Sequence, residues 1–124
     1  MADLLTSLGF AASGMQAQAG RLRTLSENIA NADTPGYHRK TISFQDLADG
    51  VALGPVRLDQ TEGTRIYDPG HPLAGEDGTY VGSNVDLVVE IADAREAQRS
   101  YDANLRVFDQ ARQMTLSLFD LIRK

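Results

Sequence analysis

The sequence has no cysteine among its 124 residues. This excludes disulfide bonds and thiolate chemistry, and it leaves the redox state of the compartment open. No apolar run approaches the roughly 20 residues that a helix needs to cross a bilayer, so we expect no membrane insertion. The net charge is −5, and this acidic balance argues against nucleic acid as a partner.

The N-terminus lacks the basic region of a cleavable secretory signal, because Asp3 is the only charged residue before Arg21. Ordinary targeting signals would therefore predict a cytoplasmic protein. The length allows one domain with a core of ordinary size. The hydrophobic fraction of 42% is typical of a folded chain.

The last third of the chain, residues 84–124, predicts one long helix. It contains no Pro and no Gly, and either Asn84 or Asp86 can cap its start. At 1.5 Å per residue this helix would be about 55 Å long and would need a partner of similar length. One apolar stripe runs along its first half and includes Ala94. We expect the helix to pair with a helix of the same chain through Leu87, Ile91, Tyr101, Leu105 and Phe108.

A second apolar stripe joins the first beyond Asn104. Together the two stripes cover well over half of the helix circumference, whereas one partner helix covers only a narrow seam. We therefore expect the second stripe to contact other subunits. Its members are Val107, Ala111, Met114, Leu118 and Leu121.

Residues 3–32 predict the matching helix, which ends at Thr34-Pro35-Gly36. Leu4, Ala11, Leu25 and Ala32 supply companion positions to a seven-residue repeat of larger apolar side chains. Three glycines each cost this helix about 1 kcal/mol relative to alanine, so we expect it to be weak in isolation. The repeat that should face the first stripe consists of Leu8, Met15, Leu22 and Ile29.

The middle of the chain has a different character. Alternating residues at 38–44 and 64–67 predict short strands, and Asp77-Gly78 is a hairpin-turn signal. The predicted fold is mainly α: two terminal helices form an antiparallel coiled-coil-like bundle, and short β-hairpins and loops lie between them. The corresponding segments are 1–36, 37–83 and 84–124.

The sequence contains no motif with the residue spacing of a catalytic or metal site. The two histidines, His38 and His71, lie far apart without ligand spacing, and the bland interpretation is that each hydrogen-bonds locally in a loop. Ser100-Tyr101-Asp102 has no nearby base. We expect no catalytic residue, metal or cofactor. Charges at three- and four-residue steps predict a solvated or inter-helix face, formed by Glu90, Asp93, Arg95, Glu96, Arg99 and Arg106.

The end of the first helix carries a recognisable motif. The run from Ser26 to Tyr37 resembles the Asn-x-x-Asn-x-x-Thr-x-Gly-Tyr signature of bacterial flagellar rod and hook proteins. The two asparagines lie one turn apart, where their amides can satisfy free helix carbonyls or the backbone of a neighbouring chain. The motif residues are Asn28, Asn31, Thr34, Gly36 and Tyr37.

Three further motifs resemble the C-terminal half of the proximal rod proteins of the flagellar basal body. Together with the first motif, the resemblance covers nearly all of residues 1–40 and 65–124. Ser83 departs from it, because a proline commonly precedes Asn-Val-Asp, and residues 51–62 match nothing in it. The motifs contain Pro69, Gly70, His71, Pro72 and Leu73, then Asn84, Val85 and Asp86, and finally Arg99, Ser100 and Tyr101.

The resemblance implies a structural subunit that assembles through its terminal helices into a tubular drive shaft, which transmits torque and encloses an export channel. The implied partners are copies of itself, other flagellar rod proteins, the rod-to-MS-ring junction protein and the flagellar type III export apparatus. The implied location is the periplasmic rod, reached without a cleavable signal. The weak first helix suits a segment that is disordered when free and folds on assembly.

Three alternatives remain open at this point. The chain could be another axial rod protein of the same family. A soluble helical adaptor would also show paired helices without an active site, but it would not need the wide apolar arc near the C-terminus. An enzyme that uses His38 or His71 is the third alternative.

Overall fold

Apolar residues at three- and four-residue spacing form two long helices, α1 (Ala2–Ala30) and α2 (Leu87–Arg123). The computed structural model describes residues 2–123, so Met1 and Lys124, the outermost residues of the predicted terminal segments, lie outside the described residues. α2 is capped by Asp86, whose Oδ1 accepts a hydrogen bond of 3.1 Å from the Val88 N–H. The prediction of a mainly α fold with a β middle is confirmed.

The two helices pack against each other in antiparallel directions. Asn28 contacts Glu90 near one end, and Gly14 lies against Asn104 farther along. A Cβ atom on Gly14 would lie 2.8 Å from the Asn104 Oδ1, so the absent side chain is what lets the helices approach this closely. The coiled-coil character of this pairing stays a prediction.

A β-hairpin lies along a second face of α1. Its strands, β1 (Lys40–Leu47) and β2 (Gly50–Leu58), are antiparallel, with a shift in register between Ile42 and Phe44. The side chain of Leu53 contacts Gly20, and the hairpin turn contacts Ser13. The hairpin therefore runs from the end of α1 back towards its middle.

A second, smaller pair of strands closes the middle segment. β3 (Arg65–Tyr67) and β4 (Thr79–Val81) pair antiparallel, and a folded loop, residues 68–78, joins them. Asp77-Gly78 does not form a tight hairpin turn. Instead Gly78, with a φ of 75°, ends the long loop and accepts a hydrogen bond of 2.9 Å from the Asp68 N–H.

The core lies along α1, between α2 on one face and the hairpin on another. Its buried apolar side chains in the described residues are one leucine and four alanines: Leu25, Ala11, Ala17, Ala97 and Ala111. Side chains this small allow close packing but remove little apolar area from water. Most large apolar side chains of the helices are consequently left partly exposed.

Candidate functional site

A buried polar junction joins the end of α1, the start of β1 and the start of α2. Its centre is Asn28, whose side chain is fully buried. The Oδ1 accepts hydrogen bonds from the Lys40 N–H and the Tyr37 hydroxyl, both at 2.8 Å. The Nδ2 donates to the Lys40 C=O at 2.9 Å and to the Glu90 Oε2 at 3.4 Å. Asn28 thus binds the β1 backbone as a neighbouring strand would.

Glu90 supplies the negative charge of this junction. It was expected on a solvated or inter-helix charge face, but its side chain is completely buried. Its Oε1 accepts a hydrogen bond of 2.5 Å from the Arg39 Nε, and Arg39 also lies 3.6 Å from the Asp59 carboxylate. Every buried side-chain nitrogen and oxygen in residues 2–123 has a hydrogen-bond partner. The charge is therefore compensated, as a buried carboxylate requires.

The environment of the junction shifts the pKa values of two groups that face it. Burial raises the pKa of the Tyr37 hydroxyl above its ordinary value of 10.0, with a smaller opposing effect of Lys40. The hydrogen bond to Glu90 raises the pKa of the Arg39 guanidinium. Both shifts favour the protonated forms of Tyr37 and Arg39, which donate hydrogen bonds to Asn28 and Glu90 respectively.

The Asn-Val-Asp motif joins the middle segment to the start of α2. Asn84 Oδ1 accepts a hydrogen bond of 2.6 Å from the Arg39 N–H, and its Nδ2 donates to the carbonyls of Asp59 and Thr61 at 3.0 and 2.9 Å. Asp86 then caps α2, while Val85 between them is half-buried. Ser83, where the family pattern commonly has proline, donates its hydroxyl proton to the Ala32 C=O.

The remaining residues of the first motif turn the chain after α1. Asn31 Nδ2 donates to the Glu27 C=O at 2.9 Å, and its Oδ1 accepts a hydrogen bond of 3.1 Å from the Thr34 hydroxyl. Gly36 adopts a φ of 72°, which only glycine reaches without strain. The motif is therefore a turn that delivers Tyr37 to Asn28.

The Pro-Gly-His-Pro-Leu motif lies in the loop at 68–78, away from the junction. The His71 ring stacks on the Tyr80 ring, with 3.9 Å between centroids, and its Nδ1 accepts a hydrogen bond of 3.1 Å from the Leu73 N–H. Pro69 lies against Gly78, and Leu73 is 63% exposed. The other histidine, His38, lies at the junction, where its Nδ1 contacts the Asp59 carbonyl at 2.8 Å.

The residues predicted to pair α1 with α2 fall into two groups. On α1, the predicted repeat is half-buried beside Ala11 and Leu25. On α2, Leu87, Ile91 and Leu105 remain 43%, 43% and 40% exposed, and they lie beside the inward-facing series. That series follows spacings of four and three residues through Glu90, Ala94, Ala97, Tyr101, Asn104, Phe108, Ala111, Thr115 and Leu118.

The residues predicted to face other subunits differ in how much of their surface is exposed. Val107, Met114 and Leu121 are 52%, 51% and 67% exposed and form a line at seven-residue spacing, which we call the outer face of α2. Ala111 is only 5% exposed, and it is closed to a neighbouring chain because it lies in the inward-facing series. Leu118 is half-buried.

The sequence pattern missed the roles of Glu90, Arg39 and Lys40. The only available signal was that Glu90 continues the four- and three-residue series of α2 at its first buried turn. Its partner Asn28 lies 62 residues away in the chain. The Arg-Ser-Tyr motif lies on α2. Tyr101 is half-buried in the inward-facing series, the Ser100 C=O accepts a hydrogen bond from the Asn104 side chain, and Arg99 is exposed.

Residues 2–123 show neither a cluster of metal ligands nor a membrane-spanning helix. No group of three or more His, Asp or Glu side chains is arranged to hold a metal ion there. Neither described helix is both long and apolar enough to span a bilayer.

Comparison with known proteins matches both ends of the chain. Residues 8–38 match the family described as flagella basal body rod protein, and residues 77–121 match the C-terminal family of flagellar basal body rod FlgEFG proteins. The chain is 41% identical to the flagellar basal-body rod protein FlgC of Agrobacterium fabrum, over 99% of this chain and 98% of the relative. It is 35% identical to FlgC of Salmonella typhimurium, over 95% and 97% of the two chains.

Proposed function

Because this chain belongs to the FlgC family of flagellar basal-body rod proteins, we propose that it builds the proximal rod through the outer face of its α2 helix. Membership of this family makes it a structural subunit of the basal body that assembles with other rod components. The finer proposal is a tubular shaft in the periplasm that transmits torque, encloses the export channel and receives its subunits through the type III apparatus without signal cleavage.

The observation that supports this proposal is the exposed outer face of α2. Val107, Met114 and Leu121 each expose half or more of their surface along one line of the helix. Burying a Met or Leu side chain fully stabilises a contact by about 1.5–3 kcal/mol. A line of such side chains at seven-residue spacing is what a neighbouring helix would cover.

The proposed partners are copies of this chain, other rod proteins, the rod-to-MS-ring junction protein and the export apparatus. A soluble adaptor would not need the outer face. Similarity to structural rod proteins over nearly the whole length favours a structural role over an enzymatic one.

The proposal is tested by the double variant Met114→Asp/Leu121→Asp, because both side chains are exposed in the subunit and their loss leaves its core intact. We expect the variant to be exported but to leave cells without rods in purified basal bodies and without swimming. The matched control is Gln113→Asp, an exposed neighbour off the outer face. Normal rods in the double variant would refute the role of this face.

The single variant Leu118→Asp should also be exported and block rod growth. It is a less specific test, because Leu118 is half-buried within the subunit. A comparison of helicity between this variant and Met114→Asp/Leu121→Asp separates a folding defect from an assembly defect.

A further inference from the structure

An open groove lies on the hairpin side of α1, where the hairpin ends short of the start of the helix. Its volume is about 770 Å³. The walls are mainly apolar, with Leu5 and Ala12 on the helix side and Leu47 and Leu53 on the hairpin side. Leu5 is 57% exposed and Leu47 is 51% exposed. Within the subunit this apolar surface is left open to water.

The last turns of α2 extend beyond the start of α1. Asn28 lies opposite Glu90 and Gly14 opposite Asn104, and the same register places the α2 residues after Leu116 beyond Ala2, where α1 begins. This overhang is about 10 Å long. Its exposed apolar residues are Phe119, Leu121 and Ile122.

The spacing and the charge of the overhang both fit the groove. Leu121 and Ile122 are adjacent, exposed apolar side chains on the last turn of α2, one turn after the half-buried Leu118. A helix anchors in an apolar groove through side chains at such i, i+3 and i+4 positions. Arg123 comes next in the chain, whereas Asp49 lines the groove. Opposite charges at these two places would fix the direction of the inserted helix.

The overhang of a chain does not reach its own groove. α2 is one continuous helix from Leu87 to Arg123 and packs on one face of α1. The groove opens on the other face, which the hairpin shares. An occupant with these features must therefore come from another molecule.

We propose that the groove of one copy receives the last two turns of α2 of a second copy. Leu121 and Ile122 then lie against Leu5 and Leu47, and Arg123 lies beside Asp49. The two surfaces are different parts of the same chain, so the contact is head-to-tail and extends as an open array. This inference rests on the proposed assembly function and specifies one of its contacts.

The test uses the natural absence of cysteine. A chain with Leu47→Cys and Leu121→Cys is supplied as the only copy in flagellated cells, and purified basal bodies are oxidised. We expect a ladder of disulfide-linked multimers of this chain, at least about tenfold above the yield of a matched pair, Leu47→Cys with Val88→Cys. Val88 is 78% exposed but lies at the far end of α2.

Cross-linking no higher than in the control pair would overturn the inference, and so would capture of a different rod protein by Cys at 47. If the cells swim and form rods while cross-links are absent, only this contact is refuted and the assembly function stands. If rods form without this chain, the assembly function itself is refuted.

A charge exchange provides an independent test if the cysteine pair impairs assembly. Asp49→Arg and Arg123→Asp should each reduce swimming several-fold, and the double variant should restore it. Failure of the double variant to restore swimming, when both single variants are impaired, would overturn the inference.

Discussion

Replacement of Asn28 by alanine should release the start of β1 from α1. The substitution removes hydrogen bonds to the Lys40 N–H, the Lys40 C=O and the Tyr37 hydroxyl, all between 2.8 and 2.9 Å. It also removes the weaker contact with Glu90 at 3.4 Å. The backbone groups of Lys40 then have no partner unless water enters the junction.

The expected loss follows from the three strong bonds. Each contributes a net stabilisation of about 1 kcal/mol, so their removal costs about 3 kcal/mol. Alanine is a better helix former than asparagine by about 0.5 kcal/mol, which offsets part of that loss. The junction should therefore open about 2.5 kcal/mol more easily, which corresponds to roughly a 70-fold increase in the opening equilibrium.

Hydrogen exchange at the Lys40 amide measures this opening directly, because that N–H donates to Asn28. Asn31→Ala is the matched control: Asn31 is the same residue type one turn later, but its two side-chain bonds are local. Because neither of these bonds involves Lys40, the control should raise exchange at the Lys40 amide by no more than about fivefold, the effect of losing about one hydrogen bond. If both variants exchange equally fast at Lys40, the central role assigned to Asn28 is refuted.

Three other predictions concern the turn, the pH response and the free chain. Gly50→Ala should destabilise hairpin docking by about 1–3 kcal/mol, because a residue with a side chain is strained at such a φ. Gly50 has a φ of 145°, and a Cβ atom at this position would collide with Ser13. Gly9→Ala serves as the control, because no other atom lies within 4 Å of a Cβ atom at Gly9. Hydrogen exchange at the Val51 amide measures the difference between the two variants. Burial raises the pKa of the Tyr37 hydroxyl in the folded chain above its ordinary value of 10.0. The neutral hydroxyl therefore stabilises the fold fully below pH 10, and this stabilisation is lost as the pH rises through the folded pKa. Tyr37→Phe should remove this alkaline loss in a pH titration of unfolding. In the dilute free chain the first turns of α1 should exchange fast, whereas full protection there would contradict folding on assembly.

The terminal helices were predictable because their periodicity extends over many turns. The prediction placed the first at 3–32, and the structure has it at Ala2–Ala30. It placed the second from Asn84, and α2 begins at Leu87, after the Asp86 cap. Local signals determine such boundaries, since a cap or a proline acts on its immediate neighbours.

The inward face of α2 was not predictable from apolar pattern alone. Hydrophobicity favoured Leu87, Ile91 and Leu105, but the helix turns Glu90 and Ala97 inward instead. Small side chains and one buried carboxylate form the contact because Asn28 and Arg39 supply partners for the charge. Such partners are distant in sequence, and a helix with apolar residues on several faces gives no local signal for which face is inward.

The small side chains between the helices also leave the two ends of the helix pair unequally stabilised. Close approach of the helices through alanine and glycine leaves a thin core, and the polar junction fixes only one end of the pair. At the other end the side chains of Val107, Met114 and Leu121 keep half or more of their surface in water. Burying even half of each would add about 1 kcal/mol per side chain, a sum that matters against the 5–15 kcal/mol by which folded proteins are ordinarily stable. Neighbouring subunits that covered this face would therefore stabilise the fold of each chain and the array together.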